Sequence, residues 1–249
     1  MIPKIIHLCW FSNDAYPKVI SKCLATWDKY LKGYEIMLWN FDRFPKGKSK
    51  WVDEAFENKK YAFAADYIRA YALYNYGGIY LDSDVEVLKN FDEFLDLPYI
   101  LGRESDSGQI EAAVMGSEKG NPMFKELLDY YDNRNFIMED GTFDTRPLPG
   151  IMMEIIAKYG KPVNIDSVSK FGNEDGTLYI FNADYFSPLH IINLRLELTP
   201  NSVTIHHFAG TWTSKTHQFK KRVQKIIGPR LTLIVQRLKH MILRDTETD

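Results

Sequence analysis

Two aspartates separated by one residue stand inside a strand-like segment of the sequence. Asp82 and Asp84 follow an apolar run that begins after the pair Gly77 and Gly78. Alternate side chains of a strand share a face, so the two carboxylates would project together, roughly 6.5 Å apart along the chain. Such oxygen donors suit Mg²⁺ or Mn²⁺, which uses one or two carboxylates together with phosphate oxygens. The alternative is a solvated pair of acids on an edge strand.

An acid and a base lie one helical turn apart in the segment before the glycines. Asp66 and Arg69 are three positions apart, so they share one face of a predicted helix over 59–76 that is otherwise rich in Ala and aromatic residues. The double glycine predicts a turn that returns the chain beside this helix, with Asp82 and Asp84 near its polar pair. A guanidinium fork, a carboxylate acceptor and a cation together suit a sugar bound to a diphosphate. The alternative is an intrahelical salt bridge with only a structural role.

Strands and helices that would position these residues alternate along the chain, which predicts an α/β layered sheet. A long strand over 79–87 would carry both aspartates, and 2–10 would be a central strand. Apolar residues at helical spacing predict a helix over 16–31. The other strands are predicted over 34–39, 99–102, 112–116, 179–182 and 203–208, and further helices after Asn121-Pro122 and after Gly150.

Residues 61–87, YAFAADYIRAYALYNYGGIYLDSDVEV, resemble the signature of glycosyltransferases with a DXD sugar-binding region. This family includes bacterial capsular-polysaccharide transferases, the yeast initiating α-1,6-mannosyltransferase and the glucosylating domains of large clostridial toxins. The stretches PKIIHLCW at 3–10 and IHHFAGTW at 205–212 resemble its first strand and its C-terminal motif. The resemblance implies a glycosyltransferase-A fold, which is a Rossmann-like nucleotide-sugar-binding mixed sheet flanked by helices. It also implies a divalent-metal-dependent, retaining transfer from a nucleotide sugar.

The same resemblance implies roles for individual residues. Asp84 matches the direct metal ligand, and Asp82 matches a residue that contacts the ribose and the donor sugar and reaches the metal through water. Asp66 and Arg69 match the acid and base that hold the donor's sugar hydroxyls. Trp212 matches a residue near the leaving phosphate.

Further matched positions surround the nucleoside and the metal. Trp10 matches an aromatic that stacks on uracil, Asn40 a polar contact to the nucleoside, and Tyr80 a residue lining the donor pocket. In the tandem pair His206 and His207, the position relative to the aromatic and the glycine favours His207 as the residue that completes the metal's coordination.

Retention of configuration needs either a carboxylate nucleophile or attack on the same face of the sugar. The sequence contains no residue that must be the nucleophile, so we expect same-face attack in which the departing phosphate takes the acceptor's proton. Glu111 is a candidate for a position near the acceptor, and the alternative is an acid on the surface.

Two other functions compete with glycosyl transfer. A phosphohydrolase with Asp-x-Asp on a strand usually has Thr or Val two residues after the second Asp, where this chain has Glu86. A non-catalytic calcium-binding or carbohydrate-binding module would need neither the helix with Asp66 and Arg69 nor a separate His-His segment. A Rossmann dinucleotide site is excluded because no Gly-x-Gly-x-x-Gly follows a strand.

Charge and apolar pattern separate a catalytic domain, 1–214, from a C-terminal segment, 215–249. The 249-residue chain has a net charge of −2, yet 215–244 carries nine Lys or Arg and no Asp or Glu. The remainder is therefore acidic, which argues against a nucleic-acid partner. Apolar residues interleaved with the basic ones predict two amphipathic helices that contact either an anionic membrane or protein, including a second subunit in a homodimer.

The two cysteines, Cys9 and Cys23, are too few for a disulfide framework, and the N-terminus lacks a signal-peptide pattern. We therefore expect a cytoplasmic, peripheral enzyme at the inner face of the membrane. Its donor would be a UDP-hexose, galactose or glucose before N-acetylhexosamine. Its acceptor would be an oligosaccharide or lipid-linked saccharide of a capsular or surface polysaccharide. Donor epimer and linkage depend on pocket shape in loops over 103–109 and 134–149.

Overall fold

The structure is a computed structural model that describes residues 1–12 and 14–210, and these residues contain six α-helices and nine strands. The helices are α1 (Lys18–Tyr30), α2 (Lys50–Glu57), α3 (Tyr61–Tyr76), α4 (Pro122–Asp132), α5 (Leu148–Ile156) and α6 (Ala183–Phe186). The strands are β1 (Ile5–Cys9), β2 (Glu35–Trp39), β3 (Gly78–Leu81), β4 (Val85–Val87), β5 (Tyr99–Arg103), β6 (Ile110–Ser117), β7 (Lys161–Ile165), β8 (Thr177–Phe181) and β9 (Thr204–His206).

A mixed sheet of seven strands in the order β2-β1-β3-β6-β5-β8-β7 runs through the described residues. Strands β1, β2 and β3 are parallel to one another, and β6 is antiparallel to both β3 and β5. The remaining strands continue in parallel, β5 with β8 and β8 with β7. The predicted α/β architecture, a mixed sheet flanked by helices, is confirmed.

Apolar side chains cover both faces of this sheet. One cluster joins Trp39 and Met115 to buried residues of α2, α3, α4 and α5. The other joins Ile6 and Val114 to Trp27 of α1 and to residues of α6. Because neighbouring residues of a strand point to opposite faces and both faces are covered, the inner strands β3, β5 and β8 are buried at most positions, and β6 is buried at all eight of its positions.

A small second sheet pairs β4 with β9 in antiparallel register. Helix α1 covers the free edge of β4, because Trp27 Nε1 donates to the Val85 carbonyl at 2.8 Å and Thr26 Oγ1 accepts from the Val87 N–H at 2.8 Å. These bonds satisfy backbone groups that would otherwise be exposed at the strand edge.

The chain passes from α3 to β3 through two glycines with positive φ, +68° at Gly77 and +100° at Gly78. A Cβ at Gly78 would lie 2.6 Å from the Ile5 carbonyl oxygen, so only glycine lets β3 pair with β1 at this point. The predicted glycine stop of the helix at Tyr76 is confirmed.

One predicted element needs correction, and helices α2 and α6 and strand β7 were not predicted. The single strand expected over 79–87 is two strands in two sheets, because the Asp82 carbonyl accepts from the Val85 N–H at 3.0 Å and closes a turn. Helix α2 was not predicted, although Ser49 caps it by accepting from the Val52 N–H. Strand β7 was also missed, since three of its five residues are exposed and it lacks an apolar run.

No helix within residues 1–12 and 14–210 is long and apolar enough to cross a membrane. The predicted C-terminal helical segment, 215–249, and Trp212 lie outside the described residues.

Candidate active site

The two aspartates of the DXD stretch lie in the turn between β3 and β4. The Asp82 N–H donates to the Ala113 carbonyl at 2.9 Å, which extends the pairing of β3 with β6 by one residue. The Ala209 N–H donates to Asp84 Oδ2 at 2.7 Å. The turn is therefore fixed by the main sheet on one side and by the segment after β9 on the other.

His206, the last residue of β9, completes a group of three ligand-type side chains. Its register partner is Val85, the first residue after the turn. One ligand atom from each of Asp82, Asp84 and His206 lies within 4.8 Å of the other two, and all three residues are half-buried. Of these atoms, His206 Nε2 is 3.5 Å from Asp84 Oδ1.

Charges within this group reinforce one another. Burial opposes ionisation of Asp84, but His206 and the Ala209 N–H outweigh it and lower the pKa of Asp84 to about 2. Burial likewise opposes a charged imidazole, yet the carboxylates of Glu111 and Asp84 raise the pKa of His206 well above its ordinary value. His206 is therefore charged and pairs with Asp84 and Glu111, and a divalent cation bound by the two aspartates would take the place of the proton on its Nε2.

Arg69 links the acids of the turn to helix α3. Its Nη2 donates to Asp82 Oδ1 at 2.8 Å and its Nη1 donates to Asp66 Oδ1 at 2.9 Å. The guanidinium is buried, and its Cζ lies 4.4 Å from the centre of the Tyr80 ring. Burial disfavours the charge, but Asp82, Tyr80 and Asp66 raise the pKa of Arg69 well above its usual value. The prediction that the glycine turn brings α3 back beside the acids agrees with this geometry.

Asp66 is the more deeply buried of the two acids that Arg69 holds. Burial raises the pKa of Asp66, Arg69 lowers it, and the balance is a pKa of about 6. Arg69 Nε is buried without a hydrogen-bond partner.

Three candidate residues follow the carboxyl ends of adjacent parallel strands, which is where ligands bind in open α/β sheets. Trp10 follows β1, Asn40 follows β2 and Asp82 follows β3. The Trp10 ring packs against Tyr16 with centroids 4.8 Å apart. The Asn40 side chain already caps its own turn, since Oδ1 accepts from the backbone N–H groups at positions 42 and 43.

Tyr80, expected to line the donor pocket, is only 1% exposed. Its ring lies under the Arg69 guanidinium, so in this structure it supports Arg69. Trp212, expected near the leaving phosphate, lies outside the described residues.

The two tandem histidines point to different partners. His207 Nε2 is 2.7 Å from Glu86 Oε2, while His206 lies with Asp82 and Asp84. The structure therefore places His206, and not the expected His207, beside the two aspartates. Alternation along β9 correctly separates the two rings, but it does not say which face meets the aspartates; the pairing of β9 with β4 decides that.

Glu111 was expected either near the acceptor or as an acid on the surface. The surface alternative is wrong, because the side chain is buried. It is 2% exposed on β6, and its Oε1 accepts from the Ala113 N–H at 3.0 Å and lies 3.1 Å from His206 Nδ1. The sequence signal that could have indicated this is an acid inside the apolar strand IEAAVMGS.

The donor set of this group fits a divalent cation. Two carboxylates and an imidazole suit Mn²⁺ or Mg²⁺, although Mg²⁺ takes nitrogen ligands less readily than Mn²⁺. Asp82, Asp84 and His206 would hold the ion, and its role would be to neutralise charge that develops on phosphate oxygens.

Comparison with known proteins identifies the region that carries most of this site. Residues 17–100 match the family described as "Glycosyltransferase sugar-binding region containing DXD motif". This match includes Asp66, Arg69, Asp82 and Asp84, whereas His206 lies outside it.

Two curated relatives and one solved structure are similar to the chain. The mannosyl phosphorylinositol ceramide synthase SUR1 of Saccharomyces cerevisiae is 36% identical over 96 residues, which are 37% of this chain and 25% of the relative. The inositol phosphoceramide mannosyltransferase 3 of Schizosaccharomyces pombe is 44% identical over 64 residues, 26% of this chain and 18% of the relative. The chain thus spans a quarter or less of the length of these relatives. The PaToxG glycosyltransferase structure aligns over 63% of this chain and 69% of its own, with 17% identity and a TM-score of 0.47.

Proposed function

We propose that this chain, whose residues 17–100 belong to the glycosyltransferase sugar-binding region containing the DXD motif, is a metal-dependent glycosyltransferase. It transfers a hexose from a nucleoside diphosphate sugar to a saccharide acceptor. The observation that carries the proposal is the convergence of Asp82, Asp84 and His206 within 4.8 Å, directly beside the guanidinium that joins Asp82 to Asp66.

Each part of this arrangement supplies one requirement of the reaction. Departure of the diphosphate develops negative charge; Asp82, Asp84 and His206 would hold a divalent ion, which would supply the neutralising charge. Arg69 orients Asp82 and Asp66, and Asp66 accepts hydrogen bonds from donor-sugar hydroxyls. Trp10 stacks on the base at the carboxyl end of β1, and Asn40 contacts the nucleoside. Same-face attack, with the departing phosphate taking the acceptor's proton, gives retention of configuration.

The donor we propose is a UDP-hexose, galactose or glucose. A mannosyl donor such as GDP-mannose is the second candidate, because both curated relatives are named for mannosyl transfer. GDP-mannose differs from UDP-glucose in the base and at the C2 hydroxyl, and from UDP-galactose at the C4 hydroxyl as well. UDP-galactose and UDP-glucose share the base, so a comparison between these two tests the sugar contacts alone.

The acceptor we propose is a lipid-linked saccharide in capsular or surface polysaccharide synthesis, presented at the inner face of the cytoplasmic membrane. The support is the basic, apolar sequence of 215–249, and the names of the relatives, which refer to ceramide lipids. Deletion of 219–249 should abolish sedimentation with anionic liposomes and spare donor hydrolysis. Unchanged sedimentation would refute the membrane contact, and a change of molecular mass in solution would indicate a homodimer contact instead.

The function is tested by thermal shift and turnover with UDP-galactose, UDP-glucose, UDP-N-acetylglucosamine and GDP-mannose, each with and without Mn²⁺. We expect one donor to stabilise the protein only with Mn²⁺ and to be hydrolysed slowly without acceptor. Asp84→Asn should abolish both effects, while Asp92→Asn should not, because Asp92 pairs with Lys4 and Tyr34 instead. The product's anomeric proton, followed by NMR, reports retention.

The competing functions give different results in the same assays. A phosphohydrolase would cleave p-nitrophenyl phosphate, and a binding module would bind free sugars without nucleotide or turnover. Either result, with no donor effect of Mn²⁺, would overturn the proposed glycosyl transfer.

A further inference from the structure

Glu111 is a buried acid whose hydrogen bonds lead to one functional side chain. It is 2% exposed on β6, the central strand of the large sheet, where an ionised carboxylate is unfavourable unless it is paired. Its Oε1 accepts from the Ala113 N–H at 3.0 Å and lies 3.1 Å from Nδ1 of His206. Burial alone would raise its pKa, but His206 above all, with the Ala113 N–H, lowers the pKa of Glu111 below its ordinary value.

We propose that Glu111 is the positioning residue for His206 in the metal site, an inference that rests on the proposed function. By accepting a hydrogen bond from Nδ1–H, Glu111 keeps that proton on Nδ1 and leaves Nε2 as the nitrogen that binds a cation. That Nε2 is the atom 3.5 Å from Asp84 Oδ1, on the side where the cation would bind. A carboxylate behind a metal-binding histidine holds the ring in one orientation and makes it a better ligand.

The ring of His206 is restrained on a second side. Its centroid lies 3.8 Å from that of Phe208, with the planes tilted by 32°. Contact with Phe208 limits tilting of the ring, and the bond to Glu111 limits rotation about its Cβ–Cγ bond. Together they present Nε2 to Asp82 and Asp84 before any ion binds.

The position of Glu111 also excludes a direct part in sugar transfer. A general base or nucleophile has to reach the reacting atoms. One Glu111 oxygen is occupied by His206 and Ala113, and the other is buried without an aligned partner, as is the hydroxyl of Ser187. Glu111 therefore acts through His206.

The test measures Mn²⁺ affinity of the full chain by calorimetry for wild type, Glu111→Ala, Glu111→Gln, His206→Ala and the double variant. Loss of the carboxylate that is hydrogen-bonded to a metal-binding histidine typically weakens metal binding by about 10- to 100-fold. We expect Glu111→Ala to weaken Mn²⁺ binding by about tenfold or more. Glu111→Gln keeps an oxygen acceptor for both N–H groups and should restore most of the affinity.

The double variant separates positioning from general loosening of the fold. If Glu111 acts through His206, adding Glu111→Ala to His206→Ala should not weaken Mn²⁺ binding further. Val114→Ala removes buried volume from the same strand and serves as the matched control, with affinity expected to match that of wild type. A tenfold loss on adding Glu111→Ala to the His206→Ala background would overturn the inference, as would a loss of the same size in Val114→Ala.

A metal-free readout checks the hydrogen bond itself. Nitrogen-15 spectra of the histidine rings should show His206 Nδ1 protonated and hydrogen-bonded in wild type and Glu111→Gln, and altered in Glu111→Ala. An unaltered Nδ1 signal in Glu111→Ala would overturn the inference. If His206→Ala leaves Mn²⁺ affinity unchanged, the metal site fails and the inference with it; if only Glu111→Ala leaves it unchanged, the metal site stands and the inference alone is overturned.

Discussion

Arg69 Nη2 donates to Oδ1 of Asp82 at 2.8 Å, and the same guanidinium holds Asp66 through Nη1 at 2.9 Å. One planar side chain therefore sets the spacing between an acid of helix α3 and an acid of the turn after β3. An ammonium group cannot reproduce this, since it is a point charge and not a two-armed fork.

Arg69→Lys should keep the charge and lose the fork. We expect transfer activity to fall by about 100-fold, through poorer orientation of Asp82 and Asp66, with a small change in melting temperature. Steady-state kinetics with the preferred donor measures this, and Arg195→Lys on an exposed loop is the matched control. Arg69→Met should in addition destabilise the fold by about 3 kcal/mol, because it leaves Asp66 buried and unpaired. Wild-type kinetics in Arg69→Lys would show that the fork has no part in the reaction.

The tandem histidines offer a direct comparison between neighbouring residues. His206→Ala should weaken Mn²⁺ binding by about tenfold or more, since it removes a ligand of the proposed site. His207→Ala should leave the affinity near that of wild type, because His207 contacts Glu86 instead. Calorimetric titration of Mn²⁺ into each variant measures both effects, and the reverse order would return the assignment to His207.

His7 should make the fold sensitive to mild acid. It is fully buried, its Nδ1 accepts from Trp39 Nε1 at 3.1 Å, and its Nε2 is 2.6 Å from the Gly77 carbonyl oxygen. The bond from Trp39 needs the neutral ring, because a proton on Nδ1 would face the Trp39 N–H. Burial above all lowers the pKa of His7 from 6.5 to about 4.

The unfolded chain binds a proton at His7 more readily than the folded chain, so stability falls as pH falls between those two values. We expect the contribution of His7 to the free energy of unfolding to fall by about 2 kcal/mol from about pH 7 to about pH 5. Urea denaturation at both pH values measures it. His7→Asn, which keeps an acceptor for Trp39, should lose this part of the pH dependence; an identical slope in the variant would contradict the assignment.

Gly78 and Gly33 separate backbone strain from crowding. Both have positive φ, but a Cβ at Gly33 would meet nothing within 4 Å, while one at Gly78 would lie 2.6 Å from the Ile5 carbonyl oxygen. Gly33→Ala should destabilise the fold by about 1 to 2 kcal/mol, from the left-handed backbone alone. Gly78→Ala should destabilise it by about 3 to 4 kcal/mol, because β3 must also move away from β1. Chemical denaturation compares them, and equal losses would show that the contact with Ile5 is easily relieved.

The part of the candidate site that is local along the chain could be predicted from the sequence. Asp66 and Arg69 are one turn apart on a helix. The glycine pair predicts a turn after that helix, and the residues of the DXD signature are contiguous in the sequence. Recognition of the DXD family from these residues is confirmed over residues 17–100.

The positions of His206 and Glu111 in the site could not be predicted from the sequence, because they depend on strand pairing between residues that are distant along the chain. The meeting of His206 with Asp84 spans more than 100 residues and is decided by the register of β9 on β4. Glu111 reaches His206 because β6 runs past the end of β3. The break at Ser83 was hidden because the alternation of Asp82, Asp84 and Glu86 imitates one continuous strand, whereas the backbone turns there.

The turn over 82–84 belongs to both sheets at once, since it ends a strand of the large sheet and begins one of the small sheet. The Asp84 carboxylate also accepts a hydrogen bond from the Ala209 N–H. A cation bound in this turn would link the large sheet to the small sheet, which otherwise have separate hydrogen-bonded strand pairs. Binding of Mn²⁺ should slow amide hydrogen exchange most at 204–209. These residues are distant in sequence from Asp82 and Asp84, which would bind the ion.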